Sequence, residues 1–176
     1  MDKYEPGQDR NVAALSTLFM CGGLFRFMTS EERFMKAALK EAMKAQDIDE
    51  VPIGCVIVKD GKIIARGHNQ RETKQDSTSH AELKTLQKAC KKLNSWRLVG
   101  CDLYVTLEPC IMCAGAIIQS RIENVYFGAY DPKGGAFGSS INVLEAKNIN
   151  HRPNILGGVL EEECSRILKD FFKKKR

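Results

Sequence analysis

Beyond residue 28, apolar and polar positions follow two distinct periods. Over 31–46, Phe34, Met35, Ala38, Leu39, Ala42 and Met43 fall on one face at 3.6-residue spacing, which predicts an amphipathic helix. Thr29 and Glu32 stand just ahead at capping-box spacing. Residues 53–59 and 62–67 are β-rich and meet at Asp60-Gly61, the signal of a tight hairpin. Helical spacing returns over 80–93, with Leu83, Leu86, Ala89 and Cys90 as its apolar face. A short buried strand is expected at 103–107, a helix apolar on most sides at 110–120, and a further strand at 125–129. A glycine-rich loop covers 131–140. A short helix near 143–147, a weak strand at 155–159 and a closing helix at 161–173 follow. A hairpin followed by alternating strands and helices predicts an α/β domain: a mixed sheet with helices on its faces.

Residues 1–27 keep neither period. The run 12–27 is mostly apolar, but it is short for a membrane span and Arg26 interrupts it. The mixed charges of Asp2, Lys3, Glu5, Asp9 and Arg10, with no small-residue cleavage site after them, do not fit a signal peptide. The expectation is an N-terminal extension over 1–27 that lies outside the fold, one domain over 28–176, and no membrane partner.

Composition narrows the class. With 43% hydrophobic and 28% charged residues in 176, the chain is neither disordered, collagenous nor a coiled coil. Lysine and arginine number 27 against 22 acids, a net charge of +5 that permits a polyanionic partner without requiring one. Residues 1–27 carry no net charge, whereas Lys173-Lys174-Lys175-Arg176 are four consecutive cations. The seven cysteines cannot all pair within one chain, and a domain of this size buries a core without staples. Reduced thiols in a cytoplasmic protein are therefore expected. Cys21, Cys55, Cys90, Cys101 and Cys164 have apolar neighbours and no ligand spacing, so they read as buried thiols.

Cys110 and Cys113 differ. A lone C-x-x-C could be a redox pair, half of a zinc site or two core thiols. These two stand at i and i+3 at the start of a helix, so both can face one point, and free N–H groups there favour thiolates. Ile111-Met112 between them gives no support to a redox pair. With His80 they supply one imidazole and two thiolates, which leave the fourth position of a tetrahedral zinc open, a catalytic arrangement. Glu82, two residues after His80, could then carry protons without being a ligand. Alone, His80 would be an ordinary helix-start histidine and Glu82 a solvated first-turn acid. In this order they make H-x-E followed by P-C-x-x-C, the signature of zinc nucleobase deaminases.

The chain resembles the bacterial tRNA-specific adenosine deaminases of the cytidine-deaminase-like superfamily. The likeness runs from about Ser30 to Lys173. It rests on Val51-Pro52-Ile53-Gly54, Gly67-His68-Asn69, His80-Ala81-Glu82 and the block from Tyr104 through Glu108-Pro109-Cys110-Ile111-Met112-Cys113 to Ala116. Ser120-Arg121-Ile122, Phe127-Gly128-Ala129, Asn150-His151-Arg152 and Asp170-Phe171-Phe172 extend it. The resemblance implies a three-layer fold with a five-stranded mixed sheet, and one Zn2+ per subunit held by His80, Cys110 and Cys113. It implies that adenosine in the first anticodon position of tRNA becomes inosine, water attacking C6 while Glu82 carries protons to adenine N1 and the leaving ammonia. Asn69 corresponds to a residue that hydrogen-bonds the flipped base, Ala81 to one whose backbone lies against it, and Asp131 to an aspartate near the anticodon backbone. A homodimer binding the tRNA anticodon arm across its subunit boundary is implied as well. Tyr130 stands where the family commonly has arginine, and Pro132-Lys133-Gly134-Gly135 is a variant loop.

Two other functions use the same residues. A deaminase of a free base or nucleotide would share the zinc and Glu82 but would not need the basic tail. A silent RNA-binding subunit would have no need of Glu82. The lysines at 84, 88, 91 and 92 suit a solvated helix face as well as RNA; the tail beside Phe171 and Phe172 is read as an RNA contact.

Overall fold

The computed structural model describes residues 28–175; the expected extension over 1–27 lies outside the described residues. Helix α1, Ser30–Asp47, starts at a capping box: Thr29 Oγ1 accepts from the Glu32 N–H, and the Glu32 carboxylate accepts from the Thr29 N–H, each at 3.2 Å. Strands β1, Gly54–Lys59, and β2, Lys62–His68, form the expected hairpin. Asp60 and Gly61 take φ of 49° and 69°, the left-handed pair whose twist matches the flanking strands. The remaining elements are α2, Arg71–Lys74; α3, Ala81–Leu93; β3, Cys101–Leu107; α4, Ile111–Gln119; β4, Asn124–Ala129; β5, Asn154–Leu156; and α5, Glu161–Lys174. A single 3-10 turn at Val143–Glu145 stands where a short helix was expected.

The sheet order is β2-β1-β3-β4-β5. Strand β1 runs antiparallel to both β2 and β3, and β3, β4 and β5 run parallel, so the sheet is mixed and five-stranded. Alternate side chains of the central strands feed two cores. Cys55, Ile57, Leu103, Val105, Val125 and Phe127 meet Ala81, Leu86 and Ala89 of α3 and Ile117 of α4. Val56, Val58, Tyr104 and Ala129 meet Phe34, Met35 and Ala38 of α1 and Cys164 of α5. Three layers result, and the central strands, covered on both faces, read as almost unbroken apolar runs. Helix α1 approaches β1 so closely that a Cβ on Gly54 would lie 2.1 Å from the Ala38 carbonyl oxygen, so glycine is needed there.

Several local expectations differ from the structure. Met43 is 57% exposed, and Glu41 is buried on α1 instead. The stripe turns that way because Glu41 has its own partners, Lys44 Nζ at 2.7 Å and His68 Nδ1 at 3.3 Å. Helix α4 is not covered at its start, where Ile111 is 62% exposed. Cys55, Cys101 and Cys164 are buried, but Cys90 is only partly so, and Cys21 lies outside the described residues. Helix α2 was not expected, being too short to show a period.

Candidate active site

Two helix starts form the site. His80 is the N-cap residue of α3 and Cys110 that of α4, both in extended backbone, while Glu82 and Cys113 follow in the first turns. The loop ahead of His80 is held by Asp76, whose carboxylate accepts from the Thr78 N–H and the Ser79 hydroxyl, each at 2.8 Å. Cys110 is placed by β3, which ends at Leu107 and feeds through Glu108-Pro109 into α4.

His80 Nδ1 lies 3.7 Å from Cys110 Sγ and 3.6 Å from Cys113 Sγ, and the three candidate ligand atoms are all within 4.8 Å of one another. Tetrahedral zinc with ordinary Zn–N and Zn–S bonds sets nitrogen and sulfur about 3.6 Å apart. The donor set and its spacing thus fit zinc. Among the described residues the group has three members, one fewer than a tetrahedral set.

Electrostatics tie the group together. Hydrogen bonds with Cys113 and then His80 hold Cys110 down to about 4, against burial. Cys113 is pushed far up, first by its hydrogen bond with Cys110 and then by burial. The Cys110 thiolate raises His80. Burial raises the Glu82 carboxyl, while its own helix-start N–H and His80 pull it back. Glu82 is buried and adjoins Cys113, so the acid stands beside the three donors.

Of the other sequence-predicted residues, Ala81 is fully buried between His80 and Glu82. Asn69 is brought near by backbone pairing: the Gln70 N–H donates to the carbonyl of Ser79, the residue before His80, at 3.0 Å. Asp131 opens the loop after β4, and its carboxylate accepts from the Lys133 N–H at 3.0 Å. Tyr130 is half-exposed and edge-on to Phe127.

Two buried acids, Glu50 and Glu108, were given no role in the sequence reading, although Glu108 stands in the block that carries the resemblance. Glu108 accepts three backbone N–H bonds, from Asp131 at 3.1 Å, Phe137 at 3.0 Å and Ser139 at 3.1 Å. It sews the 131–140 loop to the turn that carries Cys110. Gly135 allows this, since a Cβ there would lie 2.4 Å from Glu108 Cδ. Glu50, fully buried after α1, accepts from Asn69 Nδ2 at 3.1 Å and from the Thr73 N–H and hydroxyl at 2.7 and 2.9 Å.

Comparison with known proteins agrees with this chemistry. The family model described as MafB19-like deaminase matches residues 29–176. The tRNA-specific adenosine deaminase of Bacillus subtilis is 55% identical over 149 residues, covering 85% of this chain and 92% of that protein. The enzyme of the same name from Aquifex aeolicus is 49% identical, covering 83% and 96%. A solved structure from work on A-to-I editing by tRNA:A34 deaminases at the wobble position superposes with a TM-score of 0.75. It is 48% identical and covers 77% of this chain and 99% of its own.

Proposed function

Because the chain belongs to the MafB19-like deaminases, and among them to the tRNA-specific adenosine deaminases, we propose that it converts adenosine to inosine at the first anticodon position of tRNA. The observation that carries the chemistry is the meeting of His80, Cys110 and Cys113 at two helix starts, beside buried Glu82. His80, Cys110 and Cys113 would hold one zinc ion per subunit. When bound there, zinc supplies Lewis acidity that brings the ionisation of a coordinated water to about pH 7.

The chain's own residues do the rest. Glu82 takes one proton from the attacking water and gives it to adenine N1, then takes the second from the hydroxyl now on C6 and gives it to the amino group that leaves as ammonia. Water and adenosine thus give inosine and ammonia. Burial, which raises its carboxyl, suits Glu82 to carry a proton between these atoms. Asn69 meets the flipped base, the Ala81 backbone lies against it, and Asp131 stands near the anticodon backbone. The working protein is a cytoplasmic homodimer with the anticodon arm across its boundary; exposed Ile111, next to Cys110, is an apolar side chain that a second copy would cover. No described helix is long and apolar enough to cross a membrane.

The test is incubation of the purified protein with tRNA and with an anticodon stem-loop, followed by nucleoside analysis, with free adenine, guanine and cytidine in parallel. Inosine in the anticodon is expected. Turnover of the free compounds alone would replace this reading with that of a small-molecule deaminase.

A further inference from the structure

We propose that Glu108 is a positioning residue for the reaction: from inside the 131–140 loop it holds the backbone that presents Asp131 to the anticodon arm. The proposal rests on the reading in which Asp131 stands near the anticodon backbone.

Glu108 follows β3 directly and is 2% exposed. Both of its carboxylate oxygens serve the loop. Oε2 accepts from the Asp131 N–H at 3.1 Å, and Oε1 accepts from the Phe137 and Ser139 N–H groups at 3.0 and 3.1 Å. The two ends of the loop are thus drawn onto one side chain. The site lies alongside. The Ala136 N–H donates to the Pro109 carbonyl at 2.9 Å, Gly135 forms a backbone bridge with Cys110, and the Gly135 N–H donates to the Asp131 carbonyl at 2.9 Å. Backbone bonds therefore join Asp131, through Gly135, to a member of the group of three donors.

Apolar packing does little to hold this loop. Gly134, Gly135 and Gly138 lend it no stiffness. Of residues 131–140 only Gly135 and Ala136 are buried, and Phe137 packs partly against the core. Hydrogen bonds to a carboxylate are about twice as strong as neutral ones, so three of them on Glu108 fix the loop where packing cannot. Holding it from within keeps its outer side open: Tyr130, Pro132 and Lys133 are exposed, and Asp131 is partly so. The direction of the Asp131 side chain follows from the same anchor. Its own carboxylate accepts from the Lys133 N–H at 3.0 Å, so it turns with the backbone that Glu108 holds.

The test reads KM and kcat on the anticodon stem-loop, with zinc content and melting temperature for each variant. Glu108→Gln is isosteric but carries one oxygen and one NH2. Its oxygen serves Phe137 and Ser139, and its NH2 then faces the Asp131 N–H, donor against donor, which releases that end of the loop. Asp131→Ala removes the side chain that the loop presents. Each variant is expected to raise KM about tenfold, as for one lost hydrogen bond to a charged group, with kcat within about twofold of wild type and zinc retained. The double variant is expected to be no worse than Asp131→Ala alone, because Glu108 acts through Asp131. A Glu108 that only stabilises the fold lowers the melting temperature and leaves KM alone.

Wild-type KM in Glu108→Gln would overturn the proposal. So would a loss of zinc or kcat at unchanged KM, or KM effects that multiply in the double variant. If Glu108→Gln does not fold, Gly135→Ala takes its place. A Cβ there would lie 2.4 Å from Glu108 Oε2 and 2.7 Å from the Asp131 carbonyl oxygen, so it crowds the same junction and leaves the acid in place. A raised KM that Asp131→Ala does not worsen supports the proposal, and wild-type KM overturns it. If neither variant folds, the junction belongs to the fold and the proposal falls. Asp131→Ala separates the two readings. Wild-type KM in that variant overturns the contact between Asp131 and the anticodon arm, and this proposal with it. A raised KM there with none in Glu108→Gln overturns the role of Glu108 alone.

Discussion

Glu82 sits in the first turn of α3, buried and beside the His80, Cys110 and Cys113 donors, without belonging to that group. Replacing it separates proton transfer from metal binding. Glu82→Gln is expected to keep one zinc per chain by metal analysis and to lower turnover about a hundredfold or more, the usual worth of a general acid–base. Loss of zinc together with activity would give Glu82 a structural role instead. The residues of this reaction were legible because their spacing is local: H-x-E and P-C-x-x-C each fit one helix start. Glu50 and Glu108 were not. Their partners lie 19 to 31 residues away, and in a sequence a buried acid looks like a solvated one.

The elements were legible where a period ran long enough. Capping box, hairpin turn and closing helix stand close to where the pattern put them. The pattern failed where one polar residue had a distant partner. On α1, Glu41 replaces Met43 in the buried stripe because it reaches His68 at the end of β2. Burial pushes the Glu41 carboxyl up, but hydrogen bonds from Lys44 and His68 outweigh it, and it ends below its ordinary value of 4.5. A depressed carboxyl adds stability above the unfolded pKa, and that stability is lost as pH falls through the lower folded value. Glu41→Gln is therefore expected to bring its melting temperature closer to that of wild type below about pH 4 than at pH 7. An equal gap at both values would mean that Glu41 matters only for packing. Strand β5 is short for another reason: it pairs only with β4, at an edge, and its pattern is correspondingly weak.

At the scale of the whole molecule, the hairpin followed by alternating strands and helices predicted a mixed sheet with helices on its faces, and the family resemblance implied its three layers, whereas the placement of charge needed the structure. Four cations end the chain, next to buried Phe171 and half-exposed Phe172. Lys175 is paired with Asp49 and lies 5.5 Å from the Phe171 ring, so not all of the tail is free to meet phosphate. Removing 173–176 is expected to weaken tRNA binding and to flatten its dependence of log K on log salt by about 2 to 3 units, since each phosphate contact contributes ~0.7 to 0.9. An unchanged slope would make the tail a bystander. The sheet order has a consequence for biosynthesis. Strand β3 lies between β1 and β4, but it follows α1, β1, β2 and α3 in the chain. A ribosome delivers the half with His80 first, including the α1 and α3 helices that cover the faces of β1, and leaves one edge of β1 waiting for β3. Until β3 arrives, that edge is a template for pairing with another nascent chain. Insertion of β3 closes the edge and delivers the two cysteines in the same event, so a chain that has assembled its site has also passed the stage at which it is most prone to aggregate.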